Sequence, residues 1–389
     1  MFNPGAFSNY YLRIYNYIEE RRLYSGYSLQ EIGELLSKCG FDADLYRRSY
    51  PDLAAGIPTA DASVANFFRY CDDSIRHFPI NLQLEGLQAL ADSRLLKANK
   101  ARIFSAFFAS FCVPWSAMWH LSIREFEKFW LGAIALLVRD FKPYVVTGDS
   151  HCHVYCRLFE SRGNIYVPIP LICYAASSRG LMSKKSLSGA GVRLARMASV
   201  LSKAKFAGPI IFKFGQVDVE FVYDFHRTQV RQIEFDERHW RAYLNKSVEN
   251  YVVFVAEHFR QLSCRAVGIF PPALADDVLK SGYANAHVAA TEGVADLSEL
   301  VNSLRTLEFP DKVHRTLLHR EFNQMLKRRA NEAGVPYFDD FGFFLGGDGL
   351  LDYAFIPTHR GTDHHLERQA TRTVAIRIIT KIFSEIGVT

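Results

Sequence analysis

The sequence predicts an α/β protein, a three-layer α/β/α sandwich around a parallel sheet, preceded by a helical N-terminal region. Three observations carry this. After Pro143, short apolar runs alternate with long amphipathic ones, the pattern of strands and helices in a parallel sheet covered on both faces. Before Pro143 the chain is rich in aromatics at helical spacing, without that alternation. The chain has 389 residues, 49% apolar and 22% charged, which is enough for a sizeable core and more than one domain.

In chain order, residues 1–82 form a helical module punctuated by Pro51, Gly56 and Pro58. Residues 83–142 form a helical connector of two or three helices packed on the next domain. Arg139-Asp140-Phe141-Lys142-Pro143 ends it, because proline disfavours helix in the residue before it. The α/β domain spans 143–389. Its first strand is 144–147 (YVVT), followed by a helix over 150–161. A second strand lies at 169–174, a helix at 186–204 and a third strand at 209–214. The helix at 238–262 is marked by Trp240, Leu244, Val248, Tyr251, Val255 and Phe259 recurring at three and four. A strand at 264–270 stops at Pro271-Pro272. A helix at 311–333, a short strand at 336–338 and a helix at 366–386 close the chain.

Charge and composition exclude some functions. A net charge of +5, scattered along the chain, offers no basic stripe with interleaved aromatics for nucleic acid. The seven cysteines (39, 71, 112, 152, 156, 173 and 264) are odd in number and irregularly spaced, which fits reduced thiols in a cytoplasm rather than a disulfide framework. The first residues lack the charged start and apolar core of a secretion signal. The most apolar run, 129–138, has ten residues, whereas a spanning helix needs about 20, so no membrane span is expected.

In a parallel sheet, ligands bind beyond the carboxyl ends of the strands. Gly148, Asp149 and Ser150 follow the first strand, Ser177-Ser178-Arg179-Gly180 the second, and Gly215-Gln216-Val217-Asp218 the third. Thr362-Asp363-His364-His365 precede the last helix. Ser150 then sits at a helix start, which favours developing negative charge. A serine hydroxyl needs a base to take its proton. His365 is the candidate base, with Asp363 to fix its tautomer. Backbone N–H groups of Ser150 and Gly180 could form an oxyanion hole. Arg179 and Gly215 would line the site, and Asp149 could bond the turn's amides.

These blocks resemble the SGNH (GDSL-type) hydrolase family over 143–389. The likeness rests on Ser150 in GDSH, Gly180 in SSRGL, the GQVD stretch 215–218, and Asp363 with His365 in TDHHL. The resemblance implies an ester hydrolase or an O-acyltransferase working through an acyl-Ser150 intermediate, with no cofactor. Two departures stand out. Asp218 occupies the place of the family's oxyanion-binding asparagine. Asp363 and His365 are separated by one residue where two are usual, so Thr362 takes the expected aspartate position and His364 is a second candidate base.

The N-terminal stretches Phe41-Asp42-Ala43-Asp44-Leu45-Tyr46, Tyr50-Pro51-Asp52-Leu53 and Asn66-Phe67-Phe68-Arg69-Tyr70 resemble segments attached to bacterial glycosyltransferases. They imply a setting in polysaccharide assembly and name no reaction; together with the hydrolase resemblance they point to a carbohydrate or acyl-ester substrate, with a glycosyltransferase or acyl donor as partner. The alternative is an inactive glycan-binding or scaffold module, which Asp218 favours.

The cluster His151, Cys152, His153 and Cys156 invites a metal reading. On a helix, His151 and His153 point in nearly opposite directions. Zinc wants about four ligands, and no second His/Cys pair has suitable spacing. No metal is expected, and His153, Cys152 and Cys156 are expected to pack under the sheet.

Overall fold

The computed structural model describes residues 29–38, 41–44, 84–109, 121–357 and 364–387. Most of the 1–82 module, including the stretches at 50–53 and 66–70, lies outside the described residues, as do Thr362 and Asp363. The chain forms two compact units, Met1–Pro143 with Leu158–Pro170, and Tyr144–Arg157 with Leu171–Thr389.

In the first unit, α1 (Leu29–Lys38), α2 (Leu84–Asp92), α3 (Lys97–Ala109) and α4 (Ile123–Asp140) are helices. Helix α4 starts where Ser122 and Glu125 form a reciprocal capping box, satisfying two otherwise orphaned amides. Its face of Phe126, Phe129, Trp130, Ala133, Ile134 and Leu137 is buried, with Trp130 stacked on Phe108 at 5.7 Å. The apolar run 129–138 therefore lies along a packed helix. Among the described residues no helix is long and apolar enough to cross a membrane.

The strands β2 (Phe159–Ser161) and β3 (Asn164–Ile172) form an antiparallel hairpin in the region expected to continue the first helix. Arg162 and Gly163 both have positive φ, 51° and 73°, the geometry of a two-residue hairpin turn whose twist matches the strands. Phe159 stacks on Tyr166 across the pair at 4.8 Å. The expected helix over 150–161 thus shrinks to a 3-10 turn at Ser150–Tyr155.

In the second unit the end of β3 is followed across the sheet by β1 (Lys142–Gly148), β4 (Ile210–Lys213), β5 (Cys264–Val267) and β6 (Tyr337–Phe338). β1–β4, β4–β5 and β5–β6 are parallel, with Val145 opposite Ile210 and Gly148 opposite Lys213. The helices are α5 (Ala190–Lys203), α6 (Tyr223–Gln229), α7 (Glu237–Phe259), α8 (Asp276–Lys280), α9 (Ala286–Thr291), α10 (Leu297–Arg305), α11 (Lys312–Glu332) and α12 (Arg372–Ile386). The short helices α8–α10 were not expected, although Leu297, Leu300, Val301 and Leu304 of α10 recur at helical spacing. Helix α12 begins six residues later than its apolar pattern suggests.

Side chains alternate across a strand, and this places the helices. Phe212 packs on Phe259 of α7. Its neighbour Lys213 points the other way, as does Tyr144, which meets Phe383 of α12 at 5.3 Å. So α7 and α12 cover opposite faces, giving the three layers.

Gly148 closes β1 where nothing larger fits. A Cβ there would lie 2.0 Å from the Lys213 carbonyl oxygen and 2.8 Å from Cys152 Cβ. Overpacking a rigid strand pair is destabilising by up to about 3 kcal/mol or more. Gly148→Ala should therefore lower unfolding stability by about 3 kcal/mol in urea titrations. An unchanged midpoint would show that the β1–β4 contact yields.

Candidate active site

The turn after β1 is built by Asp149. Its carboxylate caps the 3-10 turn by accepting from His151 N at 3.0 Å, and its Oδ1 also meets His151 Nδ1 at 2.9 Å. This fixes the first turn and aims Ser150 out of the sheet's carboxyl edge. Ser150 Oγ lies 2.8 Å from His365 Nε2, although 215 residues separate them. Heavy-atom distances of 2.6–3.2 Å are those of a nucleophile and its base.

The tail that carries His365 is tied to the Ser150 turn by Arg157. This side chain is 1% exposed. Its Nε donates to the Val154 carbonyl at 2.8 Å, and Nη2 donates to the Arg368 carbonyl at 2.7 Å and Thr371 Oγ1 at 3.0 Å. Its backbone N–H donates to the Tyr144 hydroxyl at 2.9 Å. Burial lowers the guanidinium to about 10, so it stays cationic at neutral pH. Arg157 takes up the Arg368 carbonyl and the Thr371 hydroxyl just before helix α12, which starts at Arg372.

Three imidazoles meet beside Ser150. His151 stacks on His365 with centroids 4.8 Å apart, His364 lies 4.0 Å from His365, and His151 lies 5.2 Å from His364. His364 Nδ1 meets the Tyr283 hydroxyl at 2.8 Å and its Nε2 meets Asn285 Nδ2 at 3.3 Å. Of the two tail histidines, His365 is the one that reaches Ser150. From sequence, His151 has only a metal reading, which α-helical geometry over 150–156 argues against; the 3-10 turn instead sets it beside the tail histidines. The signal available was the adjacent pair at 364–365. Cys152 and Cys156 are buried thiols, and burial raises Cys156 to about 12. His153 Nε2 meets the Tyr174 hydroxyl at 2.9 Å.

The other expected residues gather around the turn at 177–180. Asp218 is buried and accepts from the backbone N–H groups of Ser178 at 2.6 Å and Arg179 at 3.0 Å. Burial raises its pKa while these amides oppose the rise. The expectation that Asp218 faces the reacting group gives way to a brace that holds this turn. The Arg179 guanidinium lies 4.3 Å over the Tyr243 ring and donates to the Tyr243 carbonyl at 3.2 Å, so it packs on α7. Gly180 N donates to Ser177 O and to Ser177 Oγ, each at 3.1 Å. Gly215 has φ +113°, and a Cβ there would meet the Phe322 ring at 2.5 Å. What approaches Gly215 closely is therefore α11. Asp363 lies outside the described residues.

Beneath the turn runs a buried charged chain that the sequence reading did not single out. Lys213 donates to the Gly268 carbonyl, lies 3.4 Å from Asp340 Oδ2 and sits 3.4 Å from the Phe270 ring centroid. The Tyr155 hydroxyl donates to the same Asp340 oxygen. Burial raises Asp149 to about 6, with the Lys213 ammonium pulling against it. Glu220, on the turn after β4, accepts from Gln216 Nε2 at 2.8 Å and lies 4.0 Å from His151 Nε2. Burial raises it to about 8. Glu220 also borders a cavity of about 40 Å³ with Asp224, Arg315 and His319, roomy enough for roughly one water.

No family model matches this chain and no curated protein matches it. Among solved structures, the chain is similar to a protein of Bacteroides fragilis provisionally assigned as an acylhydrolase, at 12% identity and TM-score 0.35, covering 63% of this chain and 88% of the other. It is similar also to a GDSL-like lipase of Bacteroides thetaiotaomicron, at 10% identity and TM-score 0.35, covering 64% of this chain and 91% of the other.

Two variants follow from these contacts. Arg157→Met keeps most of the stem but removes the donors to 154, 368 and 371. Hydrogen bonds to charged groups are worth about 1.5–3 kcal/mol, so stability should fall by about 3 kcal/mol, and tail amides near 364–371 should exchange hydrogen faster. Unchanged exchange there would remove Arg157 as the tie.

Glu220 binds a proton in the fold that the unfolded chain releases above its ordinary pKa of 4.5. Its contribution to stability is full below about pH 4.5 and is lost as pH rises through about 8, at about 1.4 kcal/mol per pH unit inside that window. Glu220→Gln should be more stable than wild type by a margin that grows from pH 6 to pH 8.5 in denaturant titrations. Parallel pH profiles would contradict the burial assignment.

Proposed function

We propose that this chain is a serine ester hydrolase or acyltransferase in which Ser150 is the nucleophile and His365 its base. The observation that carries this is the 2.8 Å approach of Ser150 Oγ to His365 Nε2, at the carboxyl edge of a parallel sheet where ligands bind. His365 Nε2 accepts the Ser150 proton as Oγ bonds the acyl carbon. The resulting oxyanion collapses, the leaving alcohol takes the proton from His365, and an acyl-Ser150 ester remains. Water or a sugar hydroxyl then attacks the ester, giving its proton to His365, and Ser150 is regenerated.

In this reading Asp363 orients His365, and the Ser150 and Gly180 amides receive the oxyanion once the 177–180 turn releases Gly180 from Ser177. The substrate is an ester, an O-acetyl group on a carbohydrate. The N-terminal likeness, of which Phe41–Asp44 falls within the described residues, supports polysaccharide biosynthesis, with a glycosyltransferase or acyl donor as partner.

A second reading is a glycan-binding or scaffold module without turnover. Asp218 favours it: a buried carboxylate turned onto backbone amides supplies no donor where the family has one, and losing one oxyanion donor costs about 2.7–4 kcal/mol in the transition state.

A fluorophosphonate probe separates the two. Labelling of wild type, absent from Ser150→Ala and at least about a thousand-fold slower in His365→Ala, supports the enzyme. No labelling of folded wild type supports the binding module.

A further inference from the structure

We propose that His151, His364 and His365 form a site for one divalent transition-metal ion of the zinc class, and that filling it disables His365 as a base. The binding half stands on geometry alone; the inhibitory half rests on the role given to His365 above.

One ring nitrogen from each of these histidines lies within 4.8 Å of the others. Zinc–imidazole bonds of about 2.0–2.1 Å put tetrahedral donors roughly 3.3 Å apart, so the rings need to close by up to about 1.5 Å. Two of the three side chains are buried and the third is half-buried, so their water is already largely removed. Three imidazoles in mutual contact at 4.0–5.2 Å present a donor set that suits zinc, copper or nickel rather than calcium or magnesium.

The supports behind the rings are those of a metal site. A ligating histidine usually gives its second nitrogen to a carboxylate or similar acceptor. Asp149 Oδ1 takes that place at 2.9 Å from His151 Nδ1, leaving Nε2 as the ligand. The Tyr283 hydroxyl takes it at 2.8 Å from His364 Nδ1, so that His364 would exchange its 3.3 Å contact with Asn285 for the metal. Three protein nitrogens leave a fourth position for an oxygen, and Ser150 Oγ lies alongside. This revises the sequence expectation of no metal. The ligands come from both ends of the α/β unit, and none of the cysteines takes part.

The consequence for His365 does not depend on which of its nitrogens binds. A neutral imidazole has one N–H and one lone pair. A metal on Nε2 takes the lone pair that faces Ser150. A metal on Nδ1 leaves the proton on Nε2, which then donates to Ser150 Oγ and cannot accept from it. Chelation should therefore raise activity, the reverse of what a metal hydrolase shows.

The test is a titration of the metal-stripped full chain with Co²⁺, read by ligand-field absorption. The expected result is saturation at one equivalent, displacement by Zn²⁺, loss of the signal in His151→Gln and in His364→Gln, and retention in Ser150→Ala. Zn²⁺ should also slow fluorophosphonate labelling of wild type at least about ten-fold, with recovery on adding EDTA. Absence of a saturable one-equivalent signal in wild type overturns the site, whether or not the variants fold. So does an undiminished signal in both histidine variants. Full labelling of the metal-bound protein overturns the inhibitory half. Failure of wild type to label without metal would count against the serine mechanism while the Co²⁺ result still decides the site.

Discussion

The arrangement depends on one buried guanidinium. Arg157 joins the turn that carries Ser150 to the segment that carries His365, through the carbonyls of Val154 and Arg368 and the hydroxyl of Thr371. These parts of the chain lie more than 200 residues apart, and a contact at 2.8 Å between two side chains requires both backbones to be held to a fraction of an ångström. A planar group with donors at fixed angles does this where a lysine could not. The Tyr144 hydroxyl completes the tie by sharing its one proton between the Tyr155 and Arg157 carbonyls while accepting from Arg157 N, which links strand β1 to the turn.

Electrostatics follow from the same burial. Asp340, Lys213, Asp149 and His151 form a line of charged and polar groups from beneath β4 to the site. In a low-dielectric interior each group is tolerable only because the next one compensates it. Burial raises Asp149, while the His151 amide and then the Lys213 ammonium oppose the rise, and its Oδ1 meets His151 Nδ1 at 2.9 Å. In the readings proposed above, proton transfer and metal capture would compete for the one lone pair of His365.

Much of this was legible in the residues. The strand–helix alternation after Pro143 reads correctly because Ile210–Lys213 and Cys264–Val267 are short, apolar and bounded by proline, glycine or serine. The meeting of Ser150 and His365 was expected, since each follows or precedes a regular element at the sheet's edge, and the two lie 2.8 Å apart. The hairpin was not read, because Leu158 and Phe159 extend the apolar spacing of a helix while the Arg162-Gly163 turn that overrides it is two residues long. The sequence left Asp218 between a turn role and a site role, because its partners are backbone amides of Ser178 and Arg179, about 40 residues earlier and without sequence signature. The His151 contacts escaped notice for a geometric reason: a 3-10 turn redirects side chains that α-helical periodicity would set apart.

The most direct measurement is acid-quenched mass analysis of the protein during turnover of a simple aryl acetate. The account predicts an acetyl adduct on the peptide bearing Ser150, accumulating within the first turnover and absent from His365→Ala. Ester hydrolysis that continues at an undiminished rate in Ser150→Ala, with no adduct on the wild-type peptide, would contradict it.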